Sequence, residues 1–179
     1  LGKGLHYCAH CDGRFYKGKI VAVVGGGNSA VADALYLARL CKKVYLIHRR
    51  DTLRATKVYH DTLFHTENIE FVPDSRVTAL HGEDRLRGIT LENLRSGTQT
   101  ELACDGLFVS IGRKPATGLV EGQLELDDQG YIPADETTRT SIPGVFAVGD
   151  IRTKALRQIV TATADGANAA HFAEEYLHE

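Results

Sequence analysis

The chain has 179 residues, 43% of them hydrophobic and 25% charged, with a formal net charge of −2. This composition is typical of one globular domain or slightly more, and the small net charge argues against nucleic acid or an anionic membrane surface as a partner. No apolar stretch approaches the ~20 residues that a membrane helix requires, so we expect no membrane association. The four cysteines are too few and too scattered for the framework of a small secreted protein, which favours the cytoplasm.

The first part of the chain predicts a parallel α/β arrangement. Residues 20–24 form a continuous apolar run, the pattern of a strand buried on both faces of a parallel sheet. A helical pattern over 29–40 and a second buried strand over 44–47 complete a strand–helix–strand unit. We predict a further helix over 51–66 and a third strand over 69–72.

From residue 76 the pattern changes to short alternating runs separated by glycine and polar residues. These runs predict a meander of antiparallel strands that closes with one buried strand. The four predicted strands cover 76–80, 86–93, 100–104 and 107–111.

Residues 112–117 interrupt this pattern and mark the best domain boundary. We therefore predict one domain over 1–113 and a second segment over 114–179. The second segment contains three predicted elements: a polar hairpin near 127–130, a strand over 145–148 and a helix over 156–177. Roughly 60 residues with one good helix are too few to close a core alone, so this segment is expected to be half of a domain.

The first buried strand runs directly into a glycine-rich loop. A Gly-x-Gly-x-x-Ala sequence between a strand and a helix is typical of a dinucleotide-binding turn. Its first glycine allows the tight turn, its second lets the backbone approach a pyrophosphate, and its alanine keeps helix and sheet close. Backbone N–H groups at the helix start face the phosphates. A glycine turn without a ligand is the alternative. The candidate binding residues here are Gly25, Gly27, Asn28, Ser29 and Ala30.

Basic residues follow the second strand and indicate which dinucleotide is bound. NAD-binding proteins place an acidic residue about 20 positions after the glycine loop. This chain instead has His48, Arg49 and Arg50, with Arg54 one helical turn later. Guanidinium groups match the oxygens of a 2′-phosphate, so the sequence predicts NADP(H) in preference to NAD(H). The alternative is a solvated basic strand end.

Cys8 and Cys11 are spaced to form a disulfide that closes a very small ring. The chain-entropy model gives so short a loop only ~2 kcal/mol of stabilisation, so redox cycling explains the pair better than a structural role. In such motifs one thiol commonly has a lowered pKa, because the thiolate is the nucleophile. Asp12 directly follows and is a candidate to accept and donate the proton that exchange requires.

Other interpretations of these residues stay open. Asp12 before a glycine is also typical of a turn, and the two cysteines could be unreactive. A metal cluster would use four side chains: His6, Cys8, His10 and Cys11. Zinc sites usually draw on two separated pairs, and the sequence has no second pair, so we assign no metal. Cys41 and Cys104 lie in apolar surroundings and are expected to be small buried side chains.

Four motifs then occur together and in a characteristic order: the Cys-x-x-Cys-Asp-Gly segment 8–13, the loop 25–30, the basic residues 48–54, and the pairs 149–150 and 157–158. On these motifs the chain resembles the pyridine-nucleotide half and the C-terminal end of low-molecular-weight thioredoxin reductases. The resemblance covers essentially the whole chain. It implies a Rossmann-like NADPH-binding domain that carries the dithiol, followed by an incomplete α/β segment of an FAD-binding domain.

The resemblance also implies an activity and roles for the dithiol. Electrons would pass from NADPH to FAD, to the Cys8–Cys11 disulfide and then to thioredoxin. Cys11 would be the thiol that faces the flavin, Cys8 the one that attacks thioredoxin, and Asp12 the acid–base residue. The family further implies a homodimer in the full-length protein.

The C-terminal motif carries the flavin part of the resemblance. Gly149 and Asp150 are similar to the strand end that contacts FAD, and Arg157 and Gln158 match positions that contact the flavin and its phosphates. Read without the family, Arg157 and Gln158 are no more than a plausible helix cap.

One departure from the family is large, because the sequence contains a single glycine loop and lacks the FAD loop that would precede the dithiol. We expect a fragment that binds NADPH without holding FAD tightly, unless the preceding segment is merely not included. The parent protein would then be an NADPH-dependent thioredoxin-disulfide reductase. The alternatives are a flavoprotein reductase of a peroxiredoxin, an NADPH-binding module without turnover, and a zinc-stabilised interaction domain.

Overall fold

The computed structural model describes residues 2–178 and divides into two compact units between Gly112 and Arg113. The first unit combines a parallel sheet and its helices with a separate antiparallel sheet, which confirms the predicted α/β class. The second unit contains one long helix and mostly irregular segments. No helix among the described residues is long and apolar enough to cross a membrane.

A five-stranded parallel sheet forms the centre of the first unit, in the order β1-β8-β2-β3-β4. Its strands are β1 (Leu5–His6), β2 (Ile20–Val24), β3 (Lys43–Ile47), β4 (Ile69–Val72) and β8 (Gly106–Val109). Val21, Ala22 and Val23 of the second strand are fully buried, because apolar clusters cover both faces of the sheet. The three strands predicted before residue 75 are confirmed, whereas two-residue β1 is too short to show a pattern.

The helices of the first unit pack on one face of this sheet, and among the described residues the core cluster on the other face contains no residue of a helix. A single turn, α1 (Ala9–Asp12), and a 3-10 turn (Gly13–Tyr16) precede β2, and the glycine loop leads into α2 (Asn28–Ala38). The buried side of α2 packs into the core cluster that includes β2 and β3. The predicted helix over 29–40 is therefore confirmed to within two residues at each end.

The predicted helix over 51–66 is wrong in its first half. Only α3 (Val58–Phe64) is helical, and residues 51–57 are irregular. Backbone N–H groups of Arg54 and Ala55 donate to the carbonyl oxygen of Gly26, at 2.7 and 3.0 Å. Because tertiary hydrogen bonds take these donors, the segment folds onto the glycine loop instead of continuing a helix.

An antiparallel sheet of β5 (Ser75–His81), β6 (Gly88–Asn93) and β7 (Gln99–Ala103) follows in that spatial order. These are the first three strands of the predicted meander. The buried strand predicted over 107–111 is β8, which lies in the parallel sheet between β1 and β2 instead of pairing with β7. Its Leu107 and Phe108 are buried on opposite faces of that sheet, in the two core clusters.

The second unit is built around α4 (Ile159–His178), which starts three residues after the predicted position. A turn at 127–130 is closed by hydrogen bonds between Asp127 and Gly130 and between Asp127 and Tyr131. The hairpin predicted there is wrong beyond this turn, because no strands flank it among the described residues. The strand predicted over 145–148 is wrong: within the described residues this segment makes only an isolated bridge from Phe146 to Arg139. Without a neighbouring strand, a continuous ladder cannot form.

Candidate functional site

Cys8 and Cys11 form a disulfide, with their Cα atoms 5.3 Å apart. Cys8 directly precedes α1, and the backbone N–H of Cys11 donates to its Sγ at 3.1 Å. Cys8 is partly exposed and Cys11 is exposed, so both sulfurs lie at the surface. The pair is therefore accessible to a reductant or to the disulfide of another protein, and Cys8 has a hydrogen-bond donor that would stabilise a thiolate.

Packing of the turn after Cys11 fixes the position of the dithiol. The backbone N–H of Asp12 donates to the carbonyl oxygen of Cys8 at 3.2 Å, which closes the single turn of α1. Gly13 then packs against α2, since a Cβ at this glycine would lie 2.8 Å from Leu37 and 3.1 Å from Tyr36. The dithiol is thus carried on a turn that is held tightly against a core helix.

Asp12 belongs to a hydrogen-bonded series that sequence reasoning did not find. Its carboxylate accepts from Nδ1 of His6 at 2.9 Å, and Nε2 of His6 lies 2.6 Å from the hydroxyl of Tyr16. The His6 ring stacks on Phe108 with 5.2 Å between centroids. Burial, with Asp12 and Asp105 nearby, raises the pKa of Tyr16, so its hydroxyl stays protonated.

The four side chains proposed for a metal cluster have other partners. His6 contacts Asp12 and Tyr16, the two cysteines are bonded to each other, and His10 stacks on Tyr36 at 4.3 Å. In the part of the chain that the structure describes, no three His, Cys, Asp or Glu side chains are grouped to hold a metal.

The two remaining cysteines behave as the sequence predicted. Cys41 and Cys104 are free and buried. Burial raises the pKa of each thiol to about 11. Neither thiol is therefore reactive near neutral pH, and the surface dithiol chemistry belongs to Cys8 and Cys11.

A cavity of about 590 Å³ opens at the carboxyl ends of β2, β3 and β8. Val24, Ile47 and Val109, the last residues of these strands, contribute apolar wall, and residues 25–29 line it as well. In open parallel sheets, ligands bind at the carboxyl ends of the strands. The cavity therefore lies where a dinucleotide is expected, on the same unit as the dithiol.

Each of the three consecutive glycines at this cavity has a different environment. Gly25 has φ +151°, and a Cβ there would overlap the carbonyl oxygen of Ser110. A Cβ on Gly26 would overlap the ring of His48. By contrast, no described atom lies within 4 Å of the Cβ position of Gly27. The first two glycines are needed for packing, and the third leaves open space beside the cavity.

The other loop candidates differ in their contacts. Asn28 accepts the backbone N–H of Thr56 at 2.8 Å, so its side chain ties the loop to the irregular segment before α3. Ser29 is exposed and lines the cavity. Ala30 is fully buried and packs against Gly25, as its predicted role in close helix–sheet packing requires.

The basic residues do not all face the cavity. His48, Arg49 and Arg54 line it, whereas Arg50 lies outside the lining among the described residues. His48 is buried, and its Nε2 has no hydrogen-bond partner in the described part of the chain. Burial, together with Arg54 and Arg49, lowers the pKa of His48, so the ring is held in its neutral form.

The flavin candidates lie in the second unit. Arg157 stacks over the Tyr131 ring at 4.0 Å, and Asp150 pairs with Arg113 at 3.6 Å. Arg113, Tyr131, Asp150 and Arg157 all line a cavity of about 250 Å³. Gln158 is not in this lining, and its backbone N–H donates to Thr161 at the start of α4. Of the four flavin candidates, Asp150 and Arg157 are thus brought together in one cavity, and Gln158 is the residue directly before α4.

Gly149 is held by a buried ion cluster that the sequence analysis did not find. Its backbone N–H donates at 2.8 Å to Asp165, which also binds Arg152 and Lys154. The Arg152 guanidinium, followed by Lys154, holds the pKa of Asp165 well below its usual range. The only indication in the sequence was that Asp165 is the single Asp, Glu, Lys or Arg between residues 159 and 173.

A family model described as pyridine nucleotide-disulphide oxidoreductase matches residues 1–166. The chain belongs to the pyridine nucleotide-disulphide oxidoreductase family. The family name joins the two features that the first unit carries, an open dinucleotide-type cavity and a surface disulfide.

Relatives within this family are similar over nearly the whole chain. The chain is 46% identical over 177 residues to a thioredoxin reductase of Streptomyces clavuligerus, covering 98% of this chain and 55% of that protein. It is 45% identical to a thioredoxin reductase of Treponema pallidum (strain Nichols), covering 99% of this chain and 57% of that protein. The chain spans just over half the length of these relatives.

A solved oxidoreductase structure agrees with these relatives. The crystal structure of thioredoxin reductase from Streptococcus pyogenes MGAS5005 has a TM-score of 0.92 and 44% identity, and the match covers 98% of this chain and 58% of that one. Fold and sequence together confirm the resemblance to thioredoxin reductases that the motifs indicated.

Proposed function

We propose that this chain is the NADPH-binding and dithiol-bearing part of a flavoprotein disulfide reductase that reduces thioredoxin. The observation that carries the proposal is a surface Cys8–Cys11 disulfide on the same compact unit as the dinucleotide-type cavity. In this proposal residues 1–113 form the NADPH domain and 114–179 a segment of the FAD domain. The relatives named thioredoxin reductase support thioredoxin as the acceptor.

The cavity residues fit NADPH. The open space at Gly27 leaves room for a pyrophosphate beside backbone N–H groups, and the unpartnered Nε2 of buried His48 is a group that a ligand would satisfy. Arg49 and Arg54 would bind the 2′-phosphate through charge-assisted hydrogen bonds. When bound, NADPH supplies the hydride. The protein binds and orients it, and the neutral His48 adds no charge to the two guanidinium groups.

Cys8 and Cys11 would accept two electrons and two protons, so that their S–S bond opens to two thiols. In the next step Cys8 loses its proton to Asp12 and its thiolate attacks a disulfide of thioredoxin. One S–S bond of thioredoxin breaks, a mixed disulfide forms, and Cys11 then displaces the reduced thioredoxin. The N–H of Cys11 that donates to Cys8 Sγ supports Cys8 as the attacking thiol, because it stabilises the thiolate.

The second unit supplies the residues proposed to hold FAD. The cavity with Arg157, Tyr131 and Asp150 combines a cation, an aromatic ring and a carboxylate, which fits a phosphate-bearing cofactor with hydroxyl groups. Gly149 directly precedes Asp150, and Gln158 directly follows Arg157, so both would hold the backbone beside a residue of this site. FAD held by these residues would supply the electron transfer between nicotinamide and disulfide. A homodimer of the full-length protein and a cytoplasmic location complete the proposal, the latter on cysteine usage alone.

The assignment of the attacking thiol and of its acceptor can be tested on this chain directly. The probe is thioredoxin that keeps only its first active-site cysteine, activated with 5-thio-2-nitrobenzoate. The Cys11→Ser variant should release the nitrothiobenzoate and form a one-to-one mixed disulfide. The matched Cys8→Ser variant should react at least tenfold more slowly, because its remaining thiol is not the attacking one. Equal rates, or a faster Cys8→Ser variant, would contradict the assignment.

A further inference from the structure

The side chain of His6 joins the carboxylate next to the dithiol to the interior of the first unit. Its ring lies beneath the surface, with 8% of the residue exposed, and stacks on Phe108 from β8. Nδ1 points to Asp12 and Nε2 to Tyr16. His6 is therefore fixed on three sides, by a stacked ring and two hydrogen bonds.

The partners of this ring determine its protonation pattern. A carboxylate only accepts, so Nδ1 carries the hydrogen that is donated to Asp12. With that hydrogen on Nδ1, a neutral ring leaves Nε2 to accept from the hydroxyl of Tyr16, whose raised pKa keeps it protonated. The other charged groups beside Tyr16 are Asp105 and Lys19, whose ammonium lies 5.3 Å from the Tyr16 ring centroid. Tyr16 thus selects the tautomer of His6 that holds Asp12.

We infer that His6 is the positioning residue for Asp12: it holds in one orientation the carboxylate that directly follows Cys11 in the α1 turn, so that Asp12 takes the thiol proton during exchange. This inference rests on the proposed redox role of the dithiol. Asp12 needs such support because its side chain is 35% exposed and directly follows Cys11 at the end of a four-residue helix. A carboxylate free to turn towards water would spend less time near the thiols.

The chemical step can be written with oxidised glutathione, a disulfide that needs neither nucleotide nor flavin. The proton of Cys8 passes to Asp12, and the Cys8 thiolate attacks one glutathione sulfur, which releases the first glutathione thiolate. Cys11 then loses its proton and attacks Cys8 Sγ, which closes the protein disulfide and releases the second. The two released thiolates take up the two protons, so the dithiol is oxidised and one glutathione disulfide becomes two glutathiones.

The test measures this reaction at pH 7 on the full chain after reduction of its disulfide. Three substitutions separate positioning from packing. His6→Phe keeps the ring that stacks on Phe108 but removes both nitrogens, whereas His6→Asn keeps an amide N–H where Nδ1 stands. His81→Phe removes a hydrogen-bonded histidine from the antiparallel sheet and is the matched control.

We expect His6→Phe to slow oxidation of the dithiol by glutathione disulfide about tenfold. A correctly placed acid–base group accelerates a reaction by about 10²–10⁴, and the variant should lose part of that factor. His6→Asn should stay within about threefold of the wild-type rate, and the control should not change it. In an Asp12→Asn background His6→Phe should cause no further loss, because the two residues act as one unit. A purely structural role would instead slow the reaction equally in both backgrounds.

Three results would overturn the inference: a wild-type rate for His6→Phe, equal losses in both backgrounds, or a His6→Asn rate as low as that of His6→Phe. If circular dichroism shows that His6→Phe does not fold, His6→Gln replaces it. Its amide reaches towards Tyr16 instead of Asp12, and it should be as slow as expected for His6→Phe. Since the assay contains no nucleotide, flavin or thioredoxin, its failure is separate from failure of the proposed function.

Discussion

Arg49 and Arg50 are neighbours in the sequence, yet only Arg49 lines the cavity at the ends of the parallel strands. Arg54 reaches the same cavity from the irregular segment before α3. All three residues were predicted to have the same role, because a run of basic residues in a sequence does not show in which direction each side chain points. Both residues lie in a bend after the end of β3, where no regular alternation sets the direction of a side chain.

This difference between adjacent arginines gives a matched pair of variants. Arg49→Gln should raise the dissociation constant of NADPH roughly ten- to a hundredfold, the equivalent of one charge-assisted hydrogen bond of about 1.5–3 kcal/mol. Its effect on NADH should be much smaller, since NADH has no 2′-phosphate. Arg50→Gln should change NADPH affinity less than threefold. Isothermal titration of the wild type and the two variants measures these dissociation constants. Equal losses of NADPH affinity in both variants would show that Arg49 is not the residue that binds the 2′-phosphate.

Gly26 and Gly27 form a second pair with opposite expectations. Gly26→Ala should lower the free energy of unfolding by about 1–3 kcal/mol, because the new methyl group overlaps the buried His48 ring. Gly27→Ala meets open space at φ −93°, so its stability should stay within about 0.5 kcal/mol of the wild type. It should nevertheless weaken NADPH binding, by filling the space left for the pyrophosphate. Denaturant unfolding measures the stability of both variants, and nucleotide titration measures their affinity for NADPH. A destabilised Gly27→Ala variant would show that the space beside Gly27 is not open.

The glycine motif and the Cys-x-x-Cys pair were readable from sequence because their chemistry depends on neighbouring positions. The packing role of Gly26 and the positioning role of His6 were not predicted from the sequence. The need for glycine at 26 comes from the His48 ring, which approaches from another strand, and the role of His6 comes from Tyr16 and Phe108. Contacts between residues distant in sequence leave no local pattern.

The predicted strands and helices were likewise correct where a local pattern determines the structure and wrong where distant contacts do. Buried strands such as β2 and β3 were predicted correctly, since a continuous apolar run suits a sheet covered on both faces. The helix predicted over 51–66 lost its first half to hydrogen bonds with Gly26, and the strand predicted over 145–148 has no partner for a ladder among the described residues. A hydrophobic pattern in the sequence indicates which residues are buried. It does not show which group accepts from each backbone N–H, because tertiary contacts determine that partner.

Helix α4 is anchored to the chain before it by one buried carboxylate. Asp165 is 2% exposed and binds both Arg152 and Lys154, besides the backbone N–H of Gly149. Glu136 contacts the same guanidinium at 3.4 Å but from an exposed position. The buried cluster of Asp165, Arg152 and Lys154 therefore provides most of the electrostatic attraction between α4 and residues 149–154.

Asp165→Asn should destabilise the second unit by about 3–5 kcal/mol, because it leaves two buried cations without their counter-charge. Glu136→Gln is the control and should cost less than about 1 kcal/mol, as exposed pairs do. The pKa of Asp165 is lowered in the folded protein. Its stabilisation is thus complete above the unfolded value of about 3.9 and is lost as pH falls below it. Thermal melts between pH 7 and pH 2 should show a larger loss of stability below pH 4 in the wild type than in Asp165→Asn, where the other carboxyl groups still titrate.

The first unit carries both a cavity at the carboxyl ends of its parallel strands and a surface disulfide. In the proposed function these are the sites of the two-electron donor and of its acceptor. The chain spans just over half the length of the two thioredoxin reductases it resembles. The central claim is that the cavity takes NADPH in preference to NADH.

The most direct test is a calorimetric titration of the purified chain with each nucleotide at one salt concentration. Arg49 and Arg54 offer two charge-assisted contacts to the 2′-phosphate, so NADPH should bind at least tens-fold more tightly than NADH. Equal affinities, or no binding of NADPH at millimolar concentration, would contradict the account.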